Sequence, residues 1–320
     1  MVNGTVPSPY TWSVIEPMAS SNPAFNNPAF RDERAVRSYP GGSRATSLVP
    51  PPAAAQSTDL AAHAQLEGAF AGPPAGAVET GRMTVEDTVH KTLALFAVLV
   101  VGAVVGWIWS MSTVDPADPS SSPSIAPWLI GALVGFVLSL VVIFTSRKKV
   151  RPALIFAYAA FEGLFVGAIS SFFEYIYPGI VVQATLATLA VVGVTLALFA
   201  SGKVRASKKA TKVFMIAMGG YLVFSLLNIG LMLFNVPIAG GAFGLLSQTF
   251  MGIPLGLIIG VLVVIMAAYS LVLDFDSIQQ GVRNGAPRQY AWLGGFGIMV
   301  TVVWLYLEIL RMLAILRGSN

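Results

Sequence analysis

Two carboxylates stand out by position. Asp274 closes a long apolar segment that begins near residue 251, and Glu308 lies inside the last apolar segment of the chain. An ionisable residue within a membrane span costs several kcal/mol unless it faces the bundle interior, pairs or titrates. A carboxylate so placed can exchange a proton or offer oxygen ligands to a cation. Arg311 follows Glu308 by three positions and shares its helix face. Two readings stay open for Glu308: a local ion pair that lowers the cost of insertion, or a carboxylate facing a central cavity.

Three further acids need sorting. Glu162, mid-segment between Ala160 and Val166, has no basic residue within four positions. It is protonated, or hydrogen-bonded to a neighbouring helix, or part of an ion pathway. Asp276 falls about 160° around the helix from Asp274, so it reads as a solvated residue at a helix end. Glu174, at the opposite end of a segment, reads as a rim residue.

No catalytic arrangement accompanies these acids. HExxH, GxSxG and Walker A patterns are absent, and no intramembrane Ser/His or paired-Asp protease signature occurs. An enzyme is not expected. The chain has no cysteine, which excludes disulfides. Its two histidines, His63 and His90, both precede the first expected span, so a buried transition-metal site and a resident cofactor are not expected.

The elements that hold the acids are apolar helices. Only 11% of residues are charged and 55% are apolar, against about 25% charged in a soluble domain. Crossing the hydrocarbon core takes roughly 20 apolar residues in a helix. Seven segments meet that length: 91–112, 127–145, 152–173, 179–200, 213–234, 251–273 and 290–316. The expected fold is an all-α integral membrane bundle of seven helices spanning 87–320.

The loops orient it. Eleven Lys and Arg residues fall in loops 146–151, 201–212 and 274–289, and none falls in loops 113–126, 174–178 and 235–250. Positive charge marks the cytoplasmic side. The N-terminus is expected in the cytoplasm and the C-terminus outside. The net charge of +4 reflects these short loops, so a nucleic-acid partner is not expected. The partner implied is the lipid bilayer.

Residues 1–86 differ. They hold 11 of the 20 prolines, and their 5 basic and 7 acidic residues nearly cancel. No helical or strand period runs through them, so they read as a disordered cytoplasmic tail. Within it Asn22 to Phe25 repeats as Asn27 to Phe30, either a chance duplication or a short docking motif. No secretory signal peptide is visible.

Small residues let membrane helices approach closely. Gly102 and Gly106, Gly131 and Gly135, and Gly163 and Gly167 are each spaced by four. The longer series Gly252, Gly256 and Gly260 predicts a tightly surrounded sixth span. Asp274 lies five full turns from Gly256 and so shares its face toward the bundle.

Leu273-Asp-Phe-Asp-Ser-Ile278 at the end of the sixth span and Leu305-Tyr-Leu-Glu308 in the seventh resemble the Bax inhibitor family, which includes the bacterial YccA-like proteins. The Asn-Pro-Ala-Phe repeats and Trp304 to Arg311 resemble its actinobacterial branch. The resemblance covers roughly residues 85–317. It implies a last helix wrapped by the other six, in the plasma membrane, and a pH-sensitive leak of calcium or protons. It also implies that Asp274 and Glu308 form the proton- and calcium-responsive latch and that Arg147 supplies a counter-ion. Some YccA-like relatives instead modulate a membrane protease, which leaves a non-conducting interaction protein as the alternative.

Geometry constrains that latch. The two acids are 34 residues apart. With a turn at 284–287, their depths differ by ~15 Å or more at 1.5 Å per residue. Direct contact requires a tilted or broken helix: either Gly294-Gly295 supplies the break or the hairpin turns nearer 290.

Overall fold

The computed structural model describes residues 81–118, 120–234 and 241–318. The tail up to residue 80, with its Asn-Pro-Ala-Phe repeat, lies outside the described residues. Seven helices are long and apolar enough to cross a membrane: α1 Val85–Met111, α2 Ala126–Ser146, α3 Pro152–Ile176, α4 Ile180–Ala200, α5 Lys208–Leu233, α6 Leu255–Arg283 and α7 Tyr290–Gly318. The spans expected from apolar length thus all occur.

Several helices start or end away from the hydropathy boundary, for local reasons. Thr84 caps α1 by accepting from the Asp87 backbone N–H at 3.0 Å, and Glu86 and Asp87 lie in its first turn. These polar residues favour a helix N-terminus, so α1 begins six residues before the apolar run. His90 accordingly lies within α1, exposed, rather than before it. Ser207 caps α5 in the same way through the Ala210 N–H. Glu174 accepts from the backbone N–H groups of Gly179 and Val181, so this rim residue anchors the start of α4.

The segment before α6 is not α-helical. A 3₁₀ turn covers Gly241–Ser247, and β1 (Thr249–Phe250) pairs antiparallel with β2 (Ile253–Pro254). Gly252 therefore belongs to a hairpin, at φ +81°, with open space around it. The three-glycine series on α6 is reduced to Gly256 and Gly260, which face Ile315 and Met312 of α7.

The closest helix approach lies elsewhere. A Cβ on Gly102 or Gly106 of α1 would run into the backbone of Ala160 or Leu164 on α3. Conversely, a Cβ on Gly163 or Gly167 of α3 would overlap the carbonyls of Leu99 or Ala103. Four glycines thus bring α1 and α3 into backbone contact, and Gly131 does the same for α2 against Phe165.

α7 packs against α6, α1, α4 and α3, and its buried residues point to all of them. α6 and α7 form an antiparallel hairpin. Asn284 ends α6, Gly285 takes the left-handed conformation at φ +70°, and α7 begins at Tyr290. A glycine suits that position because it carries no Cβ to clash. Of the two alternatives, a break at Gly294-Gly295 does not occur, since α7 begins at Tyr290 and runs on through both residues. Instead Gly294 accommodates Ile278 and Thr88, and Gly295 accommodates Thr92. They are packing glycines.

Candidate functional site

Asp274 is the more deeply placed carboxylate. α6 does not stop where the apolar run stops but continues nine residues to Arg283. The side chain therefore projects from mid-helix, fully buried against α7. There the Thr301 hydroxyl donates to Asp274 Oδ2 at 2.6 Å. Thr301 is itself buried. A hydroxyl donor gives the acid a polar contact in an interior where an unmet one costs about 1–3 kcal/mol.

Glu308 is also buried, at 4% exposure, and lies seven residues along α7 from Thr301. It forms an ion pair with Arg311 on its own helix and accepts from the Tyr221 hydroxyl of α5 at 2.9 Å. Arg311 in turn donates to Tyr221 Oη at 3.1 Å, with its guanidinium over the Tyr221 ring. The Arg311 Nε is buried and has no hydrogen-bond partner. Acid, base and phenol thus close a triangle between α5 and α7.

The register of the hairpin fixes the relation of the two sites. Gly256 faces Ile315, Gly260 faces Met312, Asp274 meets Thr301, and Gly294 meets Ile278. Every one of these contacts fits a regular antiparallel pairing. Thr301 and Glu308 are then separated by roughly 10 Å of helix rise. Asp274 and Glu308 stand at two levels along α7, the first facing Thr301 from α6 and the second met by Tyr221 from α5. Among the described residues, no three His, Cys, Asp or Glu side chains gather as a metal-binding group.

The remaining acids and bases take other places. Glu162 is half-buried on α3 and faces Gly135 of α2, where a Cβ would lie 3.2 Å from its carboxylate. Asp276 is half-buried, accepts from Gln280 at 2.9 Å, and lies within electrostatic reach of Arg283 and Arg205. Arg147 is exposed at the end of α2, its guanidinium 5.9 Å from the Phe144 ring. Among the described residues, Glu308 pairs with Arg311 of its own helix. The position of Arg147 is that of a basic loop residue beside the membrane surface.

A second polar cluster lies at the end of the bundle that carries the basic loops. Asp87 of α1 bonds Lys91 at 2.6 Å and Arg288, from the α6–α7 turn, at 3.0 Å. Lys91 also donates to the Arg288 carbonyl at 2.9 Å and stands over Trp292. Just before α1, the Arg288 N–H donates to the Gly81 carbonyl and the Met83 N–H to the Ala286 carbonyl. The chain entering α1 is thus strapped to the turn of the hairpin that carries Asp274.

Sequence reasoning missed Thr301 and Tyr221. Thr301 had a signal, since it precedes Glu308 by seven positions and so lies close to the same face of one helix. Tyr221 had none, because only the packing of α5 brings it to α7.

The family model described as Bax inhibitor 1 like matches residues 22–318 of the chain. No curated protein and no solved structure matches.

Proposed function

Because the chain belongs to the Bax inhibitor 1 like family, we propose that it passes calcium or protons across the plasma membrane in a pH-sensitive way, governed by Asp274 and Glu308. One observation carries this reading: a carboxylate on α6 wholly buried against α7, where the Thr301 hydroxyl donates to it. Such a group is tolerated while protonated or well bonded, and ionising it calls for water, a donor or a cation. Proton loss would loosen α6 from α7 at that level, and an arriving calcium ion would meet the oxygen ligands it prefers. Calcium here is cargo, and it would meet Asp274 and Glu308 in succession, because ligand distances of about 2.3–2.6 Å cannot bridge two levels ~10 Å apart.

The Glu308–Arg311–Tyr221 triangle supports the second level of control. Breaking it would free α5, the helix with the smallest buried share, from α7. In this reading the basic loops face the cytoplasm, the C-terminus lies outside, and the protein is not an enzyme.

A second reading, a non-conducting partner of a membrane protease or other membrane protein, is favoured by the strap between Gly81–Met83 and Ala286–Arg288. It would pass the state of the N-terminal segment to the α6–α7 turn. Calcium entry into vesicles discriminates the two. A leak survives removal of residues 1–80 and changes with Asp274→Asn, whereas an adaptor shows no flux and loses its partner on removal of the tail.

A further inference from the structure

Between α1 and α4 the bundle is open. Both helices pack on α7, but they leave a groove of about 500 Å³ between them, floored by α3 and α7. Val104 and Trp107 line one wall, Thr185 and Leu189 the other, and Val302 and Tyr306 the floor. The rims continue without interruption into the lipid-facing surface: Val101, Val105 and Ile108 on α1 and Val182 and Leu186 on α4 are all exposed.

The hydroxyls in the groove are already satisfied. Ser170 and Tyr306 bond each other at 2.7 Å, Thr185 donates to the Val181 carbonyl at 2.8 Å, and Thr188 donates to the Ala184 carbonyl at 2.7 Å. Water fills a cavity when polar groups there need partners, and apolar cavities stay dry or take apolar ligands. We infer that the groove between α1 and α4 is a binding site for one acyl chain of a membrane phospholipid. The seven spans place it in hydrocarbon, its walls are apolar, and its mouth opens sideways into the bilayer. The acyl chain lies against Tyr306 of α7 and the small residues of α3 that floor the groove. This site is independent of the proposed ion path.

The test uses the full chain in phosphatidylcholine vesicles doped with a phospholipid bearing a diazirine near the end of one acyl chain. After irradiation, the labelled residues are mapped by mass spectrometry. Label on Thr185, Leu189, Val104 and Val302 is expected several-fold above that on Val182 and Leu186, which are as exposed as Leu189 on the same helix α4. Thr185→Phe, which fills the groove, is expected to remove the label from Val302; Val104→Phe serves if that variant does not fold. Equal labelling of groove and lipid-facing residues would mean ordinary surface lipid and overturn the site. The chain has no cysteine, so Leu189→Cys gives a single thiol. Its cross-linking to a second copy in dilute vesicles would put another protein helix in the groove and overturn the lipid assignment.

Discussion

Thr301 donates its hydroxyl to the carboxyl of Asp274 at 2.6 Å, across the interface of the two helices that form the terminal hairpin. The contact joins the one acid of α6 that is wholly buried to the helix that packs on four others. Thr301→Val keeps the shape and removes the donor. Losing that bond to a buried acid should cost about 1 kcal/mol of stability. Thermal unfolding in detergent checks it, and Thr301→Ser should recover most of the loss.

The ion pair of Glu308 with Arg311 makes a different prediction. Glu308→Gln strands a guanidinium that is only 21% exposed, and removing one partner of a buried pair costs about 3 kcal/mol. The double variant Glu308→Gln with Arg311→Met removes both charges and should be more stable than Glu308→Gln alone. A double variant as unstable as the single one would show that the pair is not what holds α5 and α7 together.

Tyr221 bonds both members of that pair from α5. Tyr221→Phe keeps the ring and deletes the hydroxyl, so the loss should be about 1 kcal/mol. The effect should fall on α5, where hydrogen exchange should rise while α1 and α3 remain protected.

The glycine contact of α1 with α3 is steric and should be unforgiving. Gly167→Ala places a methyl group on the Ala103 carbonyl and should destabilise by about 1–3 kcal/mol or prevent folding. Gly193 on α4 has open space around it. Gly193→Ala should therefore be neutral or stabilising by up to about 1 kcal/mol, since alanine favours a helix. Comparing the yields of folded protein for the two variants tests the contact directly.

Acid in the loop between α1 and α2 should not contribute to pH sensing. Hydrogen bonds from the Ser120 side chain and backbone hold the Asp118 carboxyl below its ordinary value of 3.8. A depressed folded value means that its contribution is complete above the unfolded value and is lost only as pH falls through the folded one. Asp118 therefore stays ionised near neutrality. Asp118→Asn should leave any pH profile of transport above about pH 5 unchanged.

Much of this fold was legible in the chain because hydrocarbon imposes so few solutions. Uninterrupted apolar length located all seven helices, and the five-turn spacing from Gly256 to Asp274 placed both on the face that meets α7. Helix rise with a turn at 284–287 gave an offset of ~15 Å or more between Asp274 and Glu308, and the pairing of Asp274 with Thr301 reduces it to roughly 10 Å. Other features depended on information outside hydropathy. Capping by Thr84 and Ser207 set helix starts beyond the apolar runs. Gly294 and Gly295 read as a break, yet a helix tolerates glycine when neighbours such as Thr92 and Ile278 fill the space. The resemblance alone suggested Arg147 as a counter-ion, and the structure shows it exposed at the end of α2. Tyr221 became visible only once α5 was packed against α7.

The most direct test of the proposed function is calcium entry into liposomes holding the full chain, followed from about pH 6 to about pH 8 for the wild type and for Asp274→Asn. A flux that changes with pH in the wild type, and that Asp274→Asn makes independent of pH, is the predicted result. Folded wild-type protein that admits no more calcium than empty liposomes at any pH would contradict it.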